Sequence, residues 1–295
     1  MTLNGWIVLD KPLGLSSAQG VAAVKRILRG RGLPVPRIGH GGTLDPLATG
    51  VLPIALGEAT KLAGRMLDAA KGYDFTVQFG TQTSTLDAEG EAVATSAVRP
   101  TAEQIAAILA AFTGPIDQVP PAYSALKVDG KRAYALARAG EEVVLATRRV
   151  TVHSIELVAT TPDSATFSTL VSKGTYVRSL ARDIALALGT VGHVTMLRRT
   201  QSGPFGLAQA IGLDKLAELV QGPTPEQALL PLMTGLDDIP ALAITPEEAA
   251  ALKQGRKLLG HPASNGTYLA AHGSVPVALV EAQSGEVRVL RGFNL

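Results

Sequence analysis

Residues 37–61 read RIGHGGTLDPLATGVLPIALGEATK. Gly39, Gly41 and Gly42 surround His40, and one carboxylate, Asp45, stands directly before Pro46. Two readings of Asp45 compete. Asp followed by Pro suits the N-cap and first position of a helix, because the carboxylate accepts an orphan amide and proline needs no donor. That local argument favours a structural cap. Against it, Pro46 confines Asp45 to extended backbone and so gives the carboxylate a fixed direction. The glycines let backbone approach without side-chain obstruction, as a loop that meets phosphates must.

Working outward, the chain of 295 residues is 46% hydrophobic and 18% charged, enough to fill a sizeable core and to form one large domain plus a small one. No run of about 18 apolar residues occurs, so a membrane span is not expected. The start, MTLNGWIVLDKPLG, lacks the pattern of a signal peptide, and the expected location is the cytoplasm. The net charge is +2, but the basic residues cluster. Lys25, Arg26, Arg29, Arg31 and Arg37 fall in 21–40 without an acid, and 120–150 carries six basic groups against three acidic ones. Such patches fit a phosphate backbone and equally a solvated helix face.

GWIVLD reads as a strand ended by Lys11-Pro12, and SSAQGVAAVKRILRG as a capped amphipathic helix. KGYDFTVQFGT alternates, with Tyr73, Phe75, Val77 and Phe79 on one face, which predicts a half-buried strand. TAEQIAAILAAFTG predicts a helix, RVTVHSIELVAT and SATFSTLVS a strand pair, and TYVRSLARDIALALGT a helix with Val177, Leu180, Ala181, Ile184 and Leu188 inward. The proline-rich 221–240 reads as a connector to a small, mostly β domain. Strands and helices mix without a βαβ rhythm, so the expected class is α+β.

Several chemistries are unsupported. Cysteine is absent, which removes disulfides, thiolate catalysis and cysteine zinc sites. The five histidines form no i,i+4 pair. No dinucleotide or Walker loop is present, and GLSSAQG is not a nucleophile elbow. A carboxylate reaction without metal or cofactor stays open.

GHGGTLDPLATGVLPIALGEATK resembles the signature motif of the TruB family of tRNA pseudouridine synthases. KPLGLSS (11–17), KGYDFTVQFGTQTSTLDAEG (71–90), QVPPAYSALKVDGKRAYALARAG (118–140), GTYVRSLARDIALALGT (174–190) and LRRTQSGPF (197–205) resemble further blocks, in family order. The resemblance implies a mixed, largely antiparallel sheet flanked by helices over 1–236, with an RNA-gripping insertion at about 115–150. It implies a short C-terminal β-rich domain of the PUA type at 237–295. It further implies conversion of uridine 55 in the tRNA T-loop to pseudouridine, by a monomer that uses no cofactor and no metal. Asp45 would be the catalytic carboxylate, Arg178 its partner and Tyr73 the active-site tyrosine. Tyr176 and Leu197 would line the uracil pocket, Lys61 would meet phosphate or brace the Asp45 loop, and His40 would contact a flipped nucleotide. Asp87 would touch RNA or cap the TLDAEG turn, and Lys127, Lys131 and Arg132 would grip the T-arm. A non-catalytic RNA-folding protein, a synthase for another RNA and a carboxylate glycosidase are the alternatives.

Overall fold

The computed structural model describes residues 3–124, 126–128, 130–141 and 143–295, the Lys127 side chain excepted. Its main sheet is built from β1 (Gly5–Lys11), β2 (Ala48–Leu56), β3 (Lys71–Phe79), β4 (Gly114–Gln118), β5 (Arg148–Thr160), β6 (Ser164–Val171) and β7 (Gly192–Ser202). The spatial order is β1-β2-β7-β3-β6-β5-β4, with Ile38–His40 and Phe205–Gly206 added at β2 and β7 to make nine strands. Pairing is antiparallel throughout except between β2 and β7, where Leu197, Arg198 and Arg199 run parallel to Ala48, Thr49 and Gly50. The class is α+β, as expected.

The helices expected at 16–30 and 175–190 are present with their expected apolar faces inward, and a third forms at Leu213–Gln221. Helix α1 (Ser17–Gly30) starts from a Ser16–Gln19 capping box and buries Ala23, Val24 and Leu28. Helix α2 (Val177–Ala187) buries Val177, Leu180, Ala181 and Ile184 against Phe75, Val77 and Phe167. Helix α3 (Leu213–Gln221) closes over the β1–β2 end through Leu216 and Val220. Two core clusters result, one under α2 and one under α1 and α3. Tyr73 and Leu197 are partly buried members of both, so they stand on the ridge where the halves of the sheet meet.

A second sheet of five strands carries Ala241–Ala243, Leu258–Leu259, Gly266–His272, Val275–Gln283 and Glu286–Gly292. Leu269, Leu279 and Phe293 from this sheet pack with Trp6, Val8, Val51 and Phe205 on the back of the main sheet. Among the described residues no helix is long and apolar enough to cross a membrane.

Two expectations change. Gly114–Gln118 and Arg148–Thr160 are strands of the main sheet, so the segment outside it is 119–147 rather than 115–150. Asp45-Pro46 begins no helix: the Ala48 amide donates to the Asp45 carbonyl at 3.0 Å, a tight turn leading directly into β2. GVLPIAL is a continuous apolar run buried on both faces, so the strand shows no alternation in sequence.

Candidate active site

The loop before β2 is tied down residue by residue. The Gly41 amide donates to Pro53 O at 2.8 Å. The Ser17 hydroxyl receives the Leu44 amide at 2.7 Å and donates to its carbonyl at 3.1 Å. The Gly14 amide donates to Pro46 O at 2.9 Å, so the KPLG turn leans on the same loop. Gly42 has a φ of 145° and lies against a guanidinium, a position that no side chain fills without strain. With the backbone so committed, the Asp45 carboxylate projects into a cleft of about 1180 Å³. No described residue gives it a capping amide.

Its partner is Arg178, in the first turn of α2. Nη2 of Arg178 lies 2.9 Å from Asp45 Oδ2, and Nη1 lies 3.2 Å from Asp87 Oδ2. The guanidinium also donates to the carbonyls of Thr85 and Tyr123, each at 2.9 Å. Asp87 is fixed in turn by the Thr85 hydroxyl and the Glu89 amide. The two carboxylates differ in access: the Asp87 side chain is 10% exposed and that of Asp45 45%. Asp87 therefore aims the guanidinium, and Asp45 is the carboxylate open to the cleft. Asp87 caps its turn and braces Arg178.

The cleft floor follows from register. Tyr73 pairs with Arg199 across β3 and β7, and Leu197 sits beside Phe75, so Lys71, Tyr73, Leu197 and Arg199 share one face. Tyr176 immediately precedes α2 and also lines the cleft; its backbone is clamped by the Gln118 side chain at 2.8 and 3.2 Å. Burial is the largest cause raising the Tyr176 phenol pKa. His40 closes the other side. Burial first, then the Arg199 charge, push its pKa down and keep the ring neutral at pH 7, and its Nδ1 is buried without a hydrogen-bond partner among the described residues.

Three more cations lie under this floor. Lys11 is fully buried and donates to the carbonyls of Leu15, Pro12 and Pro46. Lys71 donates to Leu67 and Ala69 at 2.7 and 2.6 Å. Burial is the largest cause that lowers both amines to about 8; Asp45 opposes the shift at Lys11, and Arg199 adds to it at both. The third cation, Arg199, is 1% exposed.

The remaining expected residues divide. Lys61 does not reach the cleft: its ammonium pairs with Glu58 at 2.7 Å and donates to Gly292 O at 2.8 Å, bracing the last strand of the small sheet. Lys131 and Arg132 lie exposed on a short hairpin with Lys127–Val128, outside the cleft lining. The Lys127 side chain is outside the described residues.

Residues 25–177 match the family model "TruB family pseudouridylate synthase (N terminal domain)", and residues 178–239 match "tRNA pseudouridylate synthase B C-terminal domain". The chain belongs to the TruB family. It is 62% identical to a protein of Novosphingobium aromaticivorans named tRNA pseudouridine synthase B, over 99% of this chain and 98% of that one. It is 56% identical to the protein of the same name from Zymomonas mobilis, over 99% and 96%. A solved chain described as an H/ACA RNP bound to a substrate RNA containing 2′-deoxyuridine superposes with a TM-score of 0.76 at 26% identity, over 99% of this chain and 85% of that one. The chain is thus a pseudouridine synthase, an isomerase.

Within this TruB-family site, sequence reasoning left Lys11, Lys71, Arg199 and Ser17 without roles. One signal was available for Lys71: the alternation of KGYDFTVQF places it on the inward face with Tyr73. A lysine at that parity is either paired or buried at a cost.

Proposed function

We propose that this chain isomerises uridine 55 in the T-loop of tRNA to pseudouridine, in the cytoplasm and as a monomer. The observation that carries the reading is the Asp45–Arg178 pair: a half-exposed carboxylate held at 2.9 Å by a buried guanidinium, facing a cleft floored by Tyr73 and Leu197.

The reaction breaks N1–C1′, turns the base over and joins C5 to C1′; the C5 proton leaves and N1 gains one, so no oxidant or co-reactant is consumed. The Asp45 carboxylate acts on the sugar, at C1′ as nucleophile or at the neighbouring C–H as base. Arg178 holds that carboxylate in one orientation inside a closed complex. The Tyr73 ring stacks on the extruded uracil, and Leu197 and Tyr176 complete its pocket. Extrusion from a folded loop requires this combination of apolar slot and basic surroundings. His40, neutral, packs against a displaced nucleotide, and Lys131 and Arg132, with Lys127 of the same hairpin, meet backbone phosphate. The small sheet at 237–295 serves as a PUA-like RNA-binding domain.

The test is direct. The protein is incubated, without added metal or nucleotide, with a T-arm transcript and assayed for pseudouridine. The wild type forms product at the T-loop uridine and Asp45→Ala forms none while still binding the transcript. No product from the wild type, or undiminished product from Asp45→Ala, overturns the assignment.

A further inference from the structure

Arg199 is the largest buried charge in the molecule that has no carboxylate partner among the described residues. It is 1% exposed, and its acceptors are three backbone carbonyls: Nε donates to Val51 at 2.7 Å, Nη1 to Thr43 at 3.3 Å and Nη2 to Gly42 at 3.3 Å. A cation buried on carbonyls alone is costly to keep. Behind burial, its charge also lowers the pKa of His40, Lys11 and Lys71 around it, opposed by Asp45 at Lys11 and by Asp68 at Lys71.

The acceptors explain what the cost secures. Gly42 and Thr43 precede Asp45, and Val51 follows it on β2. One planar fork therefore staples the entry and the exit of the Asp45 loop to each other, from a strand that is not part of either. The parallel register of β7 on β2 puts Arg199 opposite Gly50, whose φ is 96° and whose absent Cβ would fall 2.2 Å from the Arg199 carbonyl. The backbones approach there so closely that only glycine fits, and the approach is what brings the guanidinium beneath the loop.

We propose that Arg199 is a positioning residue for the reaction: it never touches the uridine, and it fixes the direction of the Asp45 carboxylate by holding both ends of the loop that carries it. The proposal rests on the reading of Asp45 as the reacting carboxylate. A lysine at 199 keeps the charge but offers one nitrogen in place of the three that hold Val51, Thr43 and Gly42.

The experiment compares wild type, Arg199→Lys and a control variant, Ile105→Ala on the helix Ala102–Ile108, which lowers stability away from the site. Single-turnover pseudouridine formation, T-arm affinity, thermal midpoint and amide exchange over residues 41–48 are measured. Arg199→Lys is expected to lose about 30- to 100-fold in rate with affinity within about threefold. The amides of Gly41, Leu44 and Ala48 should exchange at least about tenfold faster. The control keeps its rate within about twofold. A rate within twofold of wild type in Arg199→Lys, equal losses of rate and affinity, or unchanged protection of 41–48 overturns the proposal. If Arg199→Lys does not fold, Gly42→Ala takes its place, since it leaves the guanidinium intact and disturbs a carbonyl it holds; the same split is expected. Amide exchange reads the loop whatever the reaction, so an inactive wild type would sink the functional reading and still leave the clasp judged.

Discussion

The loop at 41–46 and the segment at 119–147 both border the cleft, and they are built in opposite ways. In the loop, Gly41, Gly42, Thr43, Leu44, Asp45 and Pro46 each have a backbone group bonded to a strand, a helix or a neighbouring turn. The described part of 119–147 has two-residue strands, a six-residue helix over Ala133–Arg138 and mostly exposed residues. It is fastened at its near end, where the Val119 carbonyl receives Ser179 and Arg182 and the Tyr123 carbonyl receives Arg178. On the proposed reading, a carboxylate that meets one carbon atom is served by the first construction, and a surface that follows an RNA backbone by the second. On that reading, reaction and grip are separable here and meet at Arg178, whose Nη2 faces both the Asp45 carboxylate and the Tyr123 carbonyl.

The strongest way to break that separation is at the joint. Arg178→Lys removes the fork that serves two carboxylates and two carbonyls. Turnover is expected to fall at least about a hundredfold. Leaving Asp87 buried and unpaired should cost on the order of 3 kcal/mol of stability, read by denaturant unfolding. Tyr73→Phe probes the rigid side alone, keeping the stacking ring and removing the hydroxyl we propose to move a proton: turnover should fall by about ten- to a hundredfold with T-arm affinity within about threefold, and equal losses in both would assign Tyr73 to packing. Lys131→Ala with Arg132→Ala probes the adaptable side alone. Affinity should drop and the slope of log K against log salt should shrink by about 1.5, with the single-turnover rate at saturating RNA unchanged. A change in that rate would mean that the two regions are not separable.

How much of this was legible depends on whether a residue's partner is visible in sequence. Strands with one solvated face announced themselves: Lys71–Phe79 alternates as read, and Arg148–Thr160 pairs with Ser164–Val171. The strand Ala48–Leu56 did not, because burial on both faces erases the alternation and Asp45-Pro46 imitates a helix start. At the site, Asp45 and Arg178 stand in motifs and came out together. Arg199 and Lys11 stayed hidden because their partners are carbonyls, which every residue has. Lys61 misled for a geometric reason: the 3₁₀ turn at Gly57–Lys61 points it to Gly292, 231 residues away.

Lys71 offers the smallest effect and the finest test of the cleft's electrostatics. Its amine is held at about 8, below its ordinary 10.5, chiefly by burial and then by Arg199. In the unfolded chain the same amine titrates near 10.5. Below about pH 8 both states carry the proton and the group contributes no slope. Between about 8 and 10.5 the unfolded chain binds more protons than the folded one, so stability rises with pH in that window. One proton can supply a slope of at most about 1.4 kcal/mol per pH unit. Lys71→Met removes this contribution, while Lys11, with the same depressed value, titrates in both proteins and cancels in the difference. The difference in unfolding free energy between wild type and variant should therefore move in favour of the wild type from pH 8 to pH 10. A difference that moved the other way would mean that the folded protein holds Lys71 charged, as an anion in contact would, and would place a negative group where the cleft floor has Arg199.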